Sequence, residues 1–189
     1  MSIISKILSL VSKTNQSEFA MTLAGAEQGH ASAQFNLGLM YDNGEDVPKN
    51  AAEAAKWFLK AAEQGHAKAQ YSIGYKYASG LGVAKNDLEA ERWYRKAAEQ
   101  GFKDAQLNLG NMYFKGEGLA KDTAEAEKWY RKAAGQGDAL AQYNLGYMYY
   151  FGEGVMPDKK EAEFWFSKSA RQGNERAAAL VQLCRLENM

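Results

Sequence analysis

His30 and His66 stand 36 residues apart, and Cys184 is the single cysteine of the chain. These are the residue types that hold zinc or drive nucleophilic chemistry. Zinc needs several converging ligands, yet Phe102 and Asp138 follow at the histidine phase and no third ligand recurs there. No histidine lies near Cys184 in sequence, so no thiolate–imidazole pair is spelled out. That cysteine reads as a small residue of a buried or half-buried face. The segments "GLGVAKN", "GEGLAKD" and "GEGVMPD" carry a Gly-x-Gly pattern that could cradle phosphate. They follow a helical pattern rather than a strand, and no Gly-Lys-Ser/Thr comes after. The expectation is no catalytic residue, no metal ligand and no cofactor. A hydrolase or metal enzyme is the weakest of the function classes weighed.

The chemistry that remains is that of surfaces. "ALAQYNLGYMYYFGEG", residues 139–154, places Tyr143, Tyr147, Tyr149, Tyr150 and Phe151 around one helix, with Gly146 in its middle. Leu145 and Tyr149 share the face common to the corresponding helices elsewhere in the chain. Leu140, Tyr143, Tyr147, Tyr150 and Phe151 occupy the opposite face. A helix apolar all round is buried or offers a binding surface. At that opposite phase earlier segments carry Phe35; Tyr71 and Tyr75; then Leu107, Asn111 and Phe114. Beside the row run Asn36, Asn108 and Asn144, with Ser72 at the same phase. An asparagine amide can both donate to and accept from a peptide group. These residues are the expected partner-binding set, centred on the third and fourth such helices. Tyr149 and Gly146 are expected to serve the fold, and Tyr143, Tyr147 and Tyr150 a partner.

The elements that position them recur. Glycines at 29, 65, 101, 137 and 173 and tryptophans at 57, 93, 129 and 165 share a spacing of 36. A period of this size marks a repeat array. The blocks are 30–65, 66–101, 102–137 and 138–173, with 1–29 as an N-terminal capping helix and partial repeat and 174–189 as a C-terminal capping helix. Each block reads as two helices. The first carries an Ala, Leu (or Ile), Gly, Tyr face: Ala33, Leu37, Gly38, Tyr41 and their counterparts. Glycine inside a helix costs roughly 1 kcal/mol against alanine. Recurrence at one phase therefore implies close approach of a neighbouring helix. The second helix starts with Asn50 and Glu53, Asn86 and Glu89, Asp122 and Glu125, or Asp158 and Glu161, a capping-box spacing. Val47, Val83, Leu119 and Val155 read as apolar plugs of the connecting turns. Asp46 stands where the later turns have glycine, so a different turn shape is expected there.

Composition excludes several classes. The 189 residues have zero formal net charge and a pI near 6.8. No basic excess favours nucleic acid or an anionic membrane. No stretch reaches the roughly 18 apolar residues of a membrane span. One cysteine allows no internal disulfide, which suits a reducing, cytoplasmic setting. Ile3, Ile4, Ile7, Leu8 and Val11 share one helical face, as an amphipathic cap requires, and "MSIISKILSLVSKT" lacks the features of a signal peptide.

The pattern "AQxxLGxxYxxGxGVxxDxxEAxxWYxKAAEQG", best matched by "AQLNLGNMYFKGEGLAKDTAEAEKWYRKAAGQG", resembles the Sel-one-like repeat, a relative of the tetratricopeptide repeat. The resemblance spans about 145 residues plus partial repeats at both ends. It implies an all-α, right-handed superhelical solenoid of antiparallel helix pairs, with first helices lining the concave side. It also implies a non-enzymatic adaptor or scaffold, bacterial among others, that binds a protein or peptide in its groove. Some relatives are immunity proteins that inhibit a toxin, so a dedicated inhibitor of one enzyme is the alternative. Cysteine-rich relatives carry a disulfide in each repeat, which this chain cannot form. A monomer is expected.

Overall fold

A first helix that hides a leucine and a glycine alternates with a second helix that hides alanines and a ring. In the computed structural model, which describes residues 18–187, this alternation yields ten helices and no strand among the described residues. They are α1 (18–27), α2 (Ala31–Asn43), α3 (Ala51–Glu63), α4 (Ala67–Ser79), α5 (Asp87–Glu99), α6 (Lys103–Lys115), α7 (Thr123–Gly135), α8 (Ala139–Phe151), α9 (Lys159–Ala170) and α10 (Glu175–Glu187). The apolar face expected over Ile3 to Val11 lies outside the described residues.

The described residues divide into two compact units, one up to residue 96 and one from residue 97. In the first unit α2 packs on α3 and α3 on α4. Ala54, Phe58, Ala61, Ala62, Ala69 and Ile73 form its main core, and Ala26, Leu37 and Met40 a smaller one. In the second unit the sequence-neighbouring helices from α6 to α10 pack pairwise. Ala126, Tyr130, Leu145, Met148 and Trp165 form one core there, and Phe166, Ala177, Val181 and Cys184 another.

The mid-helix glycines meet the close approach that the sequence implies. A Cβ on Gly110 would lie 2.6 Å from Cδ1 of Tyr130, and one on Gly38 would lie 2.6 Å from the same atom of Phe58. Gly74 meets Tyr94 and Gly146 meets Phe166 in the same way. The intruding group is the ring next in sequence to each tryptophan, and all four of these rings are buried. Fully burying such a ring stabilises by roughly 1.5–3 kcal/mol, more than the glycine's cost to the helix. The tryptophans are buried at 93, 129 and 165 but only half-buried at 57. A lysine three residues on lies over each indole, at 4.0 Å for Lys60 and 3.9 Å for Lys132.

The helix starts depart from a full capping box. Asn50, Asn86, Asp122 and Asp158 each accept from the backbone N–H three residues on, at 3.0–3.1 Å. The reciprocal glutamate bond does not form. Each cap N–H donates instead to a tyrosine carbonyl of the preceding first helix: Tyr41, Tyr77, Tyr113 or Tyr149. The glutamates are thereby released to other partners, Glu53 to Lys56 and Glu125 to Lys128 and to the Trp129 indole.

Asp46 keeps the turn shape rather than changing it. Its φ is 61°, beside 82° at Gly82, 70° at Gly118 and 77° at Gly154. It is the one non-glycine residue with positive φ among the described residues. Aspartate tolerates this region better than most side chains because its short carboxylate can bond locally.

Candidate functional site

Rings of the first helices line a cleft within each unit. In the second unit a cleft of about 140 Å³ is lined by Asn111, Phe114 and Lys115 of α6, Tyr130 of α7, and Asn144 and Tyr147 of α8. Tyr130 is the ring that lies against Gly110. The absent side chain lets Tyr130 sink between the helices, so its ring edge and hydroxyl form the floor. The hydroxyl donates to Asn111 Oδ1 at 2.8 Å, and Asn144 Nδ2 donates to the same oxygen at 3.2 Å. Burial pushes the Tyr130 hydroxyl well above its ordinary pKa, against a bond from Asn144 that works the other way. It is a neutral donor at any physiological pH. The amide Nδ2 of Asn111 makes no hydrogen bond among the described residues. It is thus available to a carbonyl oxygen from outside.

Phe114 and Tyr147 wall this cleft, meeting edge to face at 6.3 Å. The aromatic row continues through Phe151, which lies 4.5 Å from Tyr147 and 4.7 Å from Tyr150. Phe151 and Leu140 are exposed. Tyr143, Tyr147 and Tyr150 are only half-buried, yet all pack against the core built on Phe166 and Val181. Tyr143 lies 5.8 Å and Tyr150 6.4 Å from the Phe166 ring. Those rings therefore divide their area between fold and surface. Leu107 and Asn108 are half-buried and do not line this cleft.

Tyr149 is tied into a polar network on the other side of α8. Its hydroxyl accepts from Arg131 and donates to Glu127 Oε1 at 3.2 Å. Glu127 also pairs with Arg131, at 2.6 Å. Burial works against the Arg131 charge, but Glu127 outweighs it and holds the guanidinium above its ordinary pKa.

In the first unit the corresponding cleft, about 250 Å³, is lined by Leu39, Asp42, Phe58, Tyr71, Ser72, Tyr75 and Lys76. Phe58 is its floor, again the ring against a glycine. Phe35 and Asn36 lie apart from it. Phe35 stacks on the His66 ring at 4.7 Å, and Asn36 lines a separate polar cleft with Glu18, Glu45 and Asp46.

One polar element escaped the sequence reading. Gln34, Gln70, Gln106 and Gln142 are buried, and each donates Nε2 to an alanine carbonyl eight residues earlier. Gln64, Gln136 and Gln172 donate in turn to the side-chain oxygens of Gln34, Gln106 and Gln142 at 2.7–2.9 Å. The signal was present in the recurring "AQ" and "QG", both with the period of 36. A glutamine's polarity does not by itself mark it as buried.

The groups that could do chemistry are otherwise engaged. His66 Nδ1 caps α4 by accepting from Ala69 N–H at 3.2 Å. Cys184 is buried. No group of three His, Cys, Asp or Glu side chains among the described residues could hold a metal ion. No described helix is long and apolar enough to cross a membrane.

Paired helices repeating at a fixed period, with ringed clefts between first helices, define an α-helical repeat protein. The chain belongs to the Sel1 repeat family, whose model matches residues 31–66, 67–102, 103–138 and 139–174. Proteins of this family generally mediate protein–protein interaction and are typically non-enzymatic. Among solved structures, a protective antigen of uropathogenic Escherichia coli with an SLR fold is 44% identical, with a TM-score of 0.83, over 84% of this chain and 34% of that one. A Sel1 repeat protein from Oxalobacter formigenes is 43% identical, with a TM-score of 0.77, over 86% of this chain and 65% of that one. This chain thus matches less than two thirds of either. An immunity protein from Pseudomonas aeruginosa is 26% identical, with a TM-score of 0.52, over 85% of this chain and 59% of that one. A comparison with curated protein sequences found no match.

Proposed function

We propose that this chain is a non-enzymatic scaffold that holds an extended segment of a partner protein against its first helices, centred on the cleft between α6 and α8. The supporting observation is the pairing of an unengaged amide, Asn111 Nδ2, with three rings, Phe114, Tyr130 and Tyr147, around one opening. Rings supply contact area with few rotatable bonds, and the amide fixes a peptide carbonyl. The protein acts as a monomer in this reading, in the cytoplasm, the reducing setting that its single cysteine suits.

The test is capture of partners from native lysate, followed by titration of the captured protein with wild type and with Tyr147→Ala plus Asn111→Ala. Affinity should fall by about 2 kcal/mol, the scale of interface hot spots. Unchanged affinity per folded molecule would place the binding face elsewhere. A dedicated inhibitor would use the same face, and the likeness to an immunity protein supports that second reading. Nanomolar binding to one folded enzyme selects the inhibitor, and micromolar binding to several peptides selects the scaffold.

A further inference from the structure

The first-unit cleft carries a pair of charges that the repeat does not call for. Lys76 stands where the other repeats have Met40, Met112 and Met148, and Asp42 where they have Ala78, Phe114 and Tyr150. The two departures lie on different helices, α4 and α2, and they meet as an ion pair. The Lys76 side chain is only 4% exposed, whereas that of Asp42 is 31% exposed. Burying a lysine in place of methionine is costly unless a carboxylate compensates. The arrangement therefore sets the ammonium behind and the carboxylate in front. Lys76 bonds Oδ1 of Asp42, and Oδ2 accepts no hydrogen bond from a described residue. Around that carboxylate stand Tyr71 and Tyr75, the latter 49% exposed.

Carboxylates outnumber cations around it, although Lys49 packs against Gly44 and Lys76 lines the cleft itself. From residue 18 to residue 48 the chain has Glu18, Glu27, Asp42, Glu45 and Asp46 and no lysine or arginine. Glu18, Glu45 and Asp46 line the neighbouring cleft of about 230 Å³, which shares Leu39 with the first. A carboxylate with an open oxygen, flanked by ring faces and further carboxylates, complements a cation. We propose that the first unit is a docking site for a lysine- or arginine-bearing segment of a partner protein, with one basic side chain bonded to Asp42 Oδ2 and laid on Tyr75. This builds on the reading of the chain as a protein-binding scaffold but uses other residues.

The probe is a blocked decapeptide of alternating lysine and alanine, titrated into the full chain and followed by amide NMR shifts. A glutamate–alanine decapeptide is the control. The basic peptide should bind saturably and shift amides around residues 39–46 and 71–76, and the acidic one should not. Asp42→Ala with Lys76→Met restores the residues found in other repeats and leaves the net charge unchanged. It should weaken basic-peptide binding at least about tenfold, as loss of a close charge pair with a ring contact does. Tyr75→Ser removes an exposed ring without touching the ion pair and should also weaken it. Unchanged affinity in either variant overturns the proposal. So does binding of the acidic peptide at these residues, which would make Lys76 the recognising group. None of these results depends on the partner captured through Tyr147 and Asn111, so this site and the α6–α8 cleft stand or fall separately.

Discussion

Gly110 and Tyr130 occupy one another's space: the side chain that α6 omits is the volume that the α7 ring fills, 2.6 Å from where a Cβ would stand. The contact closes the helix pair and also sets the floor of the α6–α8 cleft.

Gly110→Ala therefore forces a buried ring to move. It should destabilise by roughly 1–3 kcal/mol, the usual cost of overpacking, despite the helix propensity gained. Gln182 holds the same phase on α10 but is exposed. Gln182→Ala should change stability by no more than about 0.5 kcal/mol. Urea midpoints of the two variants make the comparison, and equal midpoints would contradict the packing role.

The glutamine ladder makes a second comparison. Gln106 is buried, donates to the Ala98 carbonyl at 3.0 Å and accepts from Gln136. Gln106→Leu keeps the bulk but removes both side-chain bonds, while the Ala98 carbonyl keeps the Gly101 N–H. The cost should be that of the lost bonds, about 0.5–1.5 kcal/mol each. Gln136→Ala, at an exposed position, should cost less. Denaturant titration of both variants checks the order.

His66 gives the first unit an acid-sensitive contact. Its pKa is lowered, first by burial and then by the charge of Lys68, so the folded state favours the neutral ring. The unfolded chain takes up the proton at the ordinary histidine value of about 6.5. Stability is thus fully present above that value and declines as pH falls from it toward the folded pKa. Protonation also removes the Nδ1 acceptor that caps α4. His66→Asn keeps a capping side chain and should flatten this part of the pH–stability curve. Melting temperatures at several pH values between about 4.5 and 7.5 report it, and a slope equal to wild type would assign the acid sensitivity to other groups.

The period of 36 alone determined the number of helix pairs, their caps and the phase of the core, because each repeat must present the same faces to its neighbours. Leucine and glycine on α6 named a packing face, and Gly110 foretold a close neighbour. Which neighbour was beyond the sequence. Tyr130 and Trp129 are adjacent aromatics, and only their positions across α7 decide that the tyrosine fills the glycine gap while the indole bonds Glu125. The cap glutamates showed the same limit. Their spacing is that of a capping box, but the tyrosine carbonyl of the preceding first helix reaches the cap N–H and takes the bond. The aromatic row was legible as a face of the first helices, richest in rings on α8. Within each unit the tertiary structure decided the rings' surroundings: those of α8 give area to Phe166, and those of α4 border a charge pair. Asp42 and Lys76 lie 34 residues apart, a separation at which a sequence gives two isolated charges and only packing makes them one group.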